Sequence, residues 1–189
     1  MAGRVTGVET LASFLAGRLV TAGRVAAALA AAACRGGHDL AALDAEAGAR
    51  IPSPALRSAS RVQGRQLLRT ARAVIRGARL PPGVEELHHP VAMGVVGAAS
   101  DDVSPIDAAR WATYDALSGP ASAAVRLLGL DPFAAWGAVA ALMDDAEEIS
   151  RQAAIDAGRP LHELPSWSAP LLEIGAEHHA ASEVRLFAS

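Results

Sequence analysis

Three times along this chain an oxygen-bearing side chain stands directly before a proline, at Ser53-Pro54, Ser104-Pro105 and Asp131-Pro132. A Ser or Asp oxygen accepts from the free N–H groups of a first helical turn. Pro at the first helical position has no N–H to lose and a φ already suited to a helix, so each pair predicts a helix start. A fourth start is predicted at Thr6-Gly7-Val8-Glu9, which has capping-box spacing, with the helix running to about Cys34 and ending at Gly36-Gly37. Stops are predicted at Gly77, Gly119-Pro120, Gly129 and Gly158-Arg159-Pro160, where Gly supplies a left-handed cap or Pro denies the next N–H. Between these marks apolar residues recur at helical spacing, and no stretch alternates cleanly with β-branched or aromatic residues. The chain is therefore expected to be all-α, a compact bundle of about seven to nine helices, with Leu80-Pro81-Pro82-Gly83 as its clearest internal loop.

Length bounds the rest. A chain of 189 residues buries roughly 70% of its unfolded surface and is read as one domain over 1–189, with 182–189 as a C-terminal tail. Aromatic residues are 4% of it, so the core must be packed from Leu, Val and Ala, and Ala or Gly at contact positions lets helix axes approach closely. The net charge of −3 gives no global drive toward nucleic acid or an anionic membrane. All 17 basic residues are Arg, and with no Lys or Asn present a Schiff-base lysine, a P-loop lysine and a papain-type Asn are excluded. The single Cys34 cannot form an intrachain disulfide, which fits a reducing cytosol, and reads as a small buried apolar group. No segment reaches the ~20 uninterrupted apolar residues that span a bilayer. The Ala-rich run from Val25 to Cys34 is bounded by Arg24 and Arg35, and no signal peptide or membrane anchor is read, so a cytoplasmic location is expected.

One predicted helix carries a stripe of like charge. From Arg50 to Leu80 there are eight Arg and no acid, and at ~100° per residue Arg57, Arg61, Arg65, Arg69, Arg72, Arg76 and Arg79 fall within ~120° of one another. Leu56, Leu67, Ala71 and Val74 gather opposite. Like charges at i,i+4 repel by a few tenths of a kcal/mol per pair, so the stripe needs counter-charge. Three readings remain: pairing with the acids of Asp144 to Glu148 or plain solvation, an acidic docking surface on a partner protein, or nucleic acid.

The histidine pairs His88-His89 and His178-His179 look metal-like, yet adjacent helical residues project about 100° apart and neither pair has a second His or a Cys at i,i+4. A structural or interface role is expected, although Glu173 and Glu177 stand within reach of the later pair. No nucleophile elbow, nucleotide-binding loop or Cys-x-x-Cys is present. Acid pairs at helix starts, such as Asp144-Asp145, follow from the helix dipole. The residues therefore read as non-catalytic.

Several segments in this order resemble the UreF family of urease accessory proteins in its actinobacterial form. They are Gly3-x-Val5-Thr6-Gly7 with Leu11-x-x-Phe14-Leu15, Ser60-Arg61-Val62-Gln63-Gly64-Arg65-Gln66-Leu67-Leu68-Arg69, His88-His89-Pro90-Val91-Ala92-Met93-Gly94-Val95, Ser122-Ala123-Ala124-Val125-Arg126-Leu127, and the ending Arg185-Leu186-Phe187-Ala188-Ser189. The resemblance implies a helical, non-catalytic chaperone of the cytosol that binds UreD, also called UreH, through its C-terminal region. It further implies recruitment of the GTPase UreG, delivery of nickel to apo-urease, a homodimer, and nickel handled by the complex with no tightly bound cofactor. Partner contact is assigned to Arg185, Leu186, Phe187 and Ser189, with Arg61, Arg65, Arg69, His88, His89 and His178 as further candidates. Family members usually begin with a Pro/Gly-rich segment, and nothing like it precedes Met1 here; either the true start lies upstream or the element is missing, and without it apolar surface at Val8, Leu11, Leu15 and Leu19 is expected to be partly uncovered. A helical transcription regulator using the Arg-rich helix is the alternative.

Overall fold

The start signals act where they stand. The computed structural model describes residues 5–75, 80–100 and 102–181, and among those residues there are nine α-helices and no strand. In chain order they are α1 (Val8–Arg18), α2 (Arg24–Arg35), α3 (Leu40–Ala49), α4 (Pro54–Val74), α5 (His89–Ala98), α6 (Pro105–Leu128), α7 (Pro132–Ala140), α8 (Met143–Asp156) and α9 (Pro170–Ala181). Ser53 Oγ accepts from the Leu56 N–H at 3.1 Å to open α4, and Asp131 Oδ2 accepts from the Ala134 N–H at 3.0 Å to open α7. At α6 the Asp107 carboxylate accepts from both the N–H of Ser104, at 3.1 Å, and its hydroxyl. These bonds hold the Asp107 carboxyl below the usual carboxylate range. The first start differs from expectation: Gly7 takes the cap position, and the Thr10 hydroxyl, not the Thr6/Glu9 pair, accepts from the Thr6 and Gly7 N–H groups at 3.0 and 3.1 Å.

A π-helical turn, Leu19–Gly23, joins α1 and α2 into one continuous helix of 28 residues, Val8–Arg35, closed by Gly36 at φ 72°. By length and composition this helix is long enough to cross a membrane, at a mean hydropathy of 1.4, which the run from Val25 to Cys34 alone does not suggest. Half of that apolar window is buried inside the protein. The burial has an evident cause: nine of the twelve residues of α2 are buried, and α5, α6 and α8 pack around it. Its alanines let these helices come close. A Cβ placed on Gly94 of α5 would lie 2.2 Å from the Ala30 carbonyl oxygen, so only a glycine permits this crossing. Leu29, Leu43, Leu68 and Val91 fill one side of α2, and Leu11, Leu15, Leu117 and Ile149 fill the other.

Two expectations are overturned here. Leu11, Leu15 and Leu19 are 0–1% exposed rather than uncovered, because α6 and α7 close over α1; Val8 alone of the four is half-buried. The stop predicted at Gly119-Pro120 is absent, and α6 runs through Pro120 to Leu128, where Gly129 caps it at φ 64°. Proline at 120 deprives the Ala116 carbonyl of its i+4 donor. Arg18 supplies a substitute, donating from Nε to Ala116 O at 3.0 Å. Burial pulls this guanidinium down from its ordinary value, while the adjacent Asp115 opposes the shift.

Replacing Arg18→Met should therefore leave a carbonyl unpaired and cost about 1–3 kcal/mol in urea unfolding. Adding Pro120→Ala restores an N–H at the missing position and should recover part of that loss. Strict additivity of the two changes would show that the Arg18 bond does not compensate for the proline.

Candidate functional site

The His88-His89-Pro90 junction is where most of the polar candidates converge. Pro90, the second residue of α5, has no N–H, and the donors just before it would be orphaned at a buried helix start. They are satisfied by other helices. Asp44 on α3, 8% exposed, accepts from the His88 N–H through Oδ1 at 2.7 Å, and Ser60 Oγ on α4 accepts from the His89 N–H at 3.0 Å. The second oxygen of Asp44 accepts from Arg61 Nη1 at 2.5 Å, and the same Arg61 nitrogen donates to the Glu86 carbonyl. Three helices thus meet on one carboxylate. The close approach is also steric, since a Cβ on Gly64 of α4 would lie 2.0 Å from the Leu87 carbonyl oxygen.

The rings of the pair differ. His88 is 1% exposed, with Nδ1 3.1 Å from Ser60 Oγ. Burial pulls His88 below the ordinary imidazole value, Arg61 and Arg57 add to the shift, and Asp44 opposes it. His89 Nδ1 lies 3.8 Å from Asp115 Oδ2, and burial lowers its pKa against that carboxylate. Ser60, His88 and Asp44 do not form a catalytic relay, because Asp44 binds the His88 backbone and not its ring. His88 accordingly holds the junction and offers no surface to a partner, contrary to its place among the contact candidates.

The guanidinium stripe is largely engaged within the chain. Arg61 meets Asp44, Arg65 meets Glu86 at 2.8 Å, Arg72 meets Glu85 at 3.3 Å, and Arg57 donates to the Ile51 and Pro52 carbonyls. Arg69 is exposed and has no ion pair among the described residues; Arg76 and Arg79 lie outside them. The pairing expected with Asp144 to Glu148 is overturned. Glu147 takes Arg110 at 2.7 Å and Glu148 takes Arg151, because α8 packs on α2 and α6 whereas α4 packs on α5 and α9. Val74, assigned to the apolar side, is 70% exposed, and Ala59, Gly64 and Leu68 are buried instead. With its cations so occupied, α4 gives no support to a DNA-reading helix.

The second His pair sits on α9, with His178 exposed and His179 half-buried. Glu177 does not turn toward them. Its Oε1 accepts from the Ala55 N–H at 2.9 Å and from the Ser53 hydroxyl, placing a carboxylate on the positive end of α4. The Ser53 and Ala55 bonds, aided by Arg57, hold the Glu177 carboxyl below its ordinary value. Glu173 Oε1 accepts from the Ala169 N–H at 3.3 Å. On its outer side α9 presents Leu171 and Ile174, 54% and 57% exposed. Among the described residues no group of three or more His, Cys, Asp or Glu is placed to hold a metal. Arg185, Leu186, Phe187 and Ser189 lie outside the described residues.

Sequence reasoning missed Asp44 and Glu177. Asp44 left one signal, an acid directly after Leu43 on a helix that must be partly buried; Glu177 left none for this role, since its partner is 122 residues away.

Fold and site together define an all-α helical bundle in which charged and polar side chains fasten helix ends to one another. The sequence matches the family model UreF over residues 5–143. It is 42% identical over 187 residues to the urease accessory protein UreF of Mycobacterium sp. (strain JLS), covering 99% of this chain and 85% of that protein. Identity to the protein of the same name from Mycobacterium marinum is 42% over 188 residues, covering 100% and 85%. For Mycobacterium tuberculosis (strain H37Rv) it is 40% over 192 residues, again 100% and 85%. The chain belongs to the UreF family of urease accessory proteins.

Two measurements check the site. A His with a lowered folded pKa makes the unfolded state the better proton acceptor, so the stability held above pH ~6.5 should fall as the pH drops through that value, then level off below the folded pKa. His88→Gln should flatten this part of the profile, and an unchanged slope would remove His88 as its source. For Glu177 the lowered carboxyl contributes stability above its ordinary pKa that is lost as pH falls through the folded value. Glu177→Gln should raise hydrogen exchange at residues 55–57 and along α9 at neutral pH while leaving α2 protected; equal exchange in both proteins would deny the clasp.

Proposed function

We propose that this chain is a non-catalytic scaffold of urease maturation, which binds UreD (UreH) through its C-terminal region and recruits the GTPase UreG so that the assembly delivers nickel to apo-urease. The observation that carries this reading is family membership over nearly the whole chain, at 40–42% identity to proteins named for that accessory role. In this reading nickel is cargo of the complex and no cofactor is tightly bound. The protein works in the cytoplasm as a homodimer, without nucleic acid or membrane.

Particular residues take particular parts. Leu171 and Ile174 offer exposed apolar side chains on α9, and in the segment that follows in sequence Leu186 and Phe187 provide anchors and Arg185 with the Ser189 carboxylate provide directional polar contacts. His178 lies on the same helix and is exposed. Arg69 is exposed on α4 with no ion pair among the described residues, and Arg65 is exposed and paired with the exposed Glu86, so the two suit a second, salt-sensitive contact. Arg61 and His89, half-buried, keep the α4–α5 junction in register behind it.

Co-purification with UreD and UreG tests the proposal. Deleting residues 185–189, or replacing Leu171→Asp and Ile174→Asp, should abolish co-elution with UreD while far-UV circular dichroism stays that of the parent. Retention of the full complex by both variants would reject the C-terminal docking assignment. Arg65→Glu with Arg69→Glu should weaken UreG or urease binding in a salt-dependent way and leave the UreD contact intact.

A further inference from the structure

Helix α7 has no charged residue over its whole length, Pro132–Ala140, and a helix that is apolar all round belongs inside a protein. Only one of its sides is inside. Ala135, Ala138 and Val139 are buried in one cluster with Leu11 and Leu15 of α1 and Leu117 of α6. On the other side Phe133, Trp136, Gly137 and Ala140 are exposed, Phe133 at 88% and Trp136 at 39%. Their spacing of i, i+3, i+4 and i+7 puts these four on one helix face. Met143, 41% exposed, follows at the start of α8. A single exposed ring needs no explanation, but a phenyl and an indole in one row with two small residues form a patch of the kind that marks an interface.

Charge along this stretch is one-sided. From Leu127 to Ser150 there are five acids, Asp131, Asp144, Asp145, Glu147 and Glu148, and no basic residue. Glu147 and Glu148 are taken by Arg110 and Arg151, whereas Asp131, Asp144 and Asp145 are exposed and have no ion pair among the described residues. Asp131 caps α7 two residues before Phe133, with Oδ2 3.0 Å from the Ala134 nitrogen, and Asp144 and Asp145 come four and five residues after Ala140. The apolar row therefore runs between acids at both ends. A second copy docked on this face by two-fold symmetry would set acid against acid, and an anionic lipid surface would be repelled in the same way. Gly137 and Ala140 let another helix axis come close beside the two rings. We propose that the outer face of α7 docks a basic amphipathic helix of a partner protein, whose apolar side covers Phe133 and Trp136 and whose Lys or Arg residues meet Asp131, Asp144 and Asp145. This face is on a different helix from the C-terminal surface assigned to UreD, so the inference stands or falls apart from that reading.

The test uses the full chain, isotopically labelled, with the Trp136 indole N–H signal, assigned through Trp136→Phe, as readout. The probe is a peptide of about 18 residues, long enough to hold a helix, with Leu along one face and Lys along the other. It should shift the Trp136 signal saturably, with a Kd in the micromolar range that rises with salt as the exposed charges are screened. The same peptide with Glu in place of Lys, or with Ala in place of Leu, should bind at least ~10-fold more weakly. Phe133→Ser, at a position too exposed to carry the fold, should weaken the Leu/Lys peptide by ~10-fold or more, the loss expected when one ring is no longer buried. Asp144→Asn with Asp145→Asn should remove most of the salt dependence and leave a weaker, salt-insensitive contact. Absence of a saturable shift, equal binding of the Glu peptide, or unchanged binding by either variant would overturn the proposal. Sedimentation of the free chain supplies the remaining check: a dimer that Phe133→Ser dissociates would give the face to a second copy and overturn the proposal as well.

Discussion

The arrangement of the helices depends on one hydrogen bond that no local rule supplies, from the Arg18 guanidinium to the Ala116 carbonyl. Pro120 should end or break the helix that contains it. Because Arg18 satisfies the carbonyl left bare, α6 continues for two further turns and places Ala121 and Ala124 in the core, then turns at Gly129 into α7. That continuation is what covers Leu11 and Leu15. At the same level the first long helix widens into its π-turn, and the two irregular stretches face each other: a Cβ on Gly23 would lie 3.4 Å from the Ala116 Cβ. A widened turn beside a proline lets two helix axes pass closely, and the charge of Arg18, with Asp115 near it, holds the crossing.

Much of the fold was legible because helix caps are local. Ser53, Ser104 and Asp131 lie within three residues of the groups they satisfy, so the sequence announces those starts without tertiary information. Gly36 and Gly129 mark stops for the same reason, both at positive φ. The failures share the opposite property. Pro120 reads as a breaker because its compensation comes from a residue 98 positions away from Ala116, and the acids that meet the stripe on α4 are not legible in the sequence because Asp44, Glu85 and Glu86 become its neighbours only after folding. Periodicity reveals that counter-charge is needed; topology decides which acids provide it.

For the site, the residue types were legible and their roles were not. The His88-His89-Pro90 segment is conspicuous in the sequence, and in the fold its backbone N–H groups donate to Asp44 and Ser60 while the imidazole of His88 is packed inside. A buried carboxylate bound to one guanidinium and one backbone N–H is costly to break, so this junction fixes how α3, α4 and α5 meet. Glu177 performs the corresponding task for α9 at the start of α4, but from an exposed position, where solvent screens the charge and the attachment is weaker.

The distribution of large and small side chains follows from the same geometry. Three helices approach α2 through alanine and glycine, which leaves no room at the centre for rings. Of the six Phe, Tyr and Trp residues among those described, Trp111, Tyr114, Phe133, Trp136 and Trp167 are 36% or more exposed, and Phe14 is half-buried. A core made of large aromatics would have used these residues for stability; an alanine core frees them for the surface, where aromatic rings are the side chains that anchor interfaces. The economy of the interior and the apolar character of the exterior are therefore one property of this chain, and they suit a protein whose family role is to assist the assembly of another.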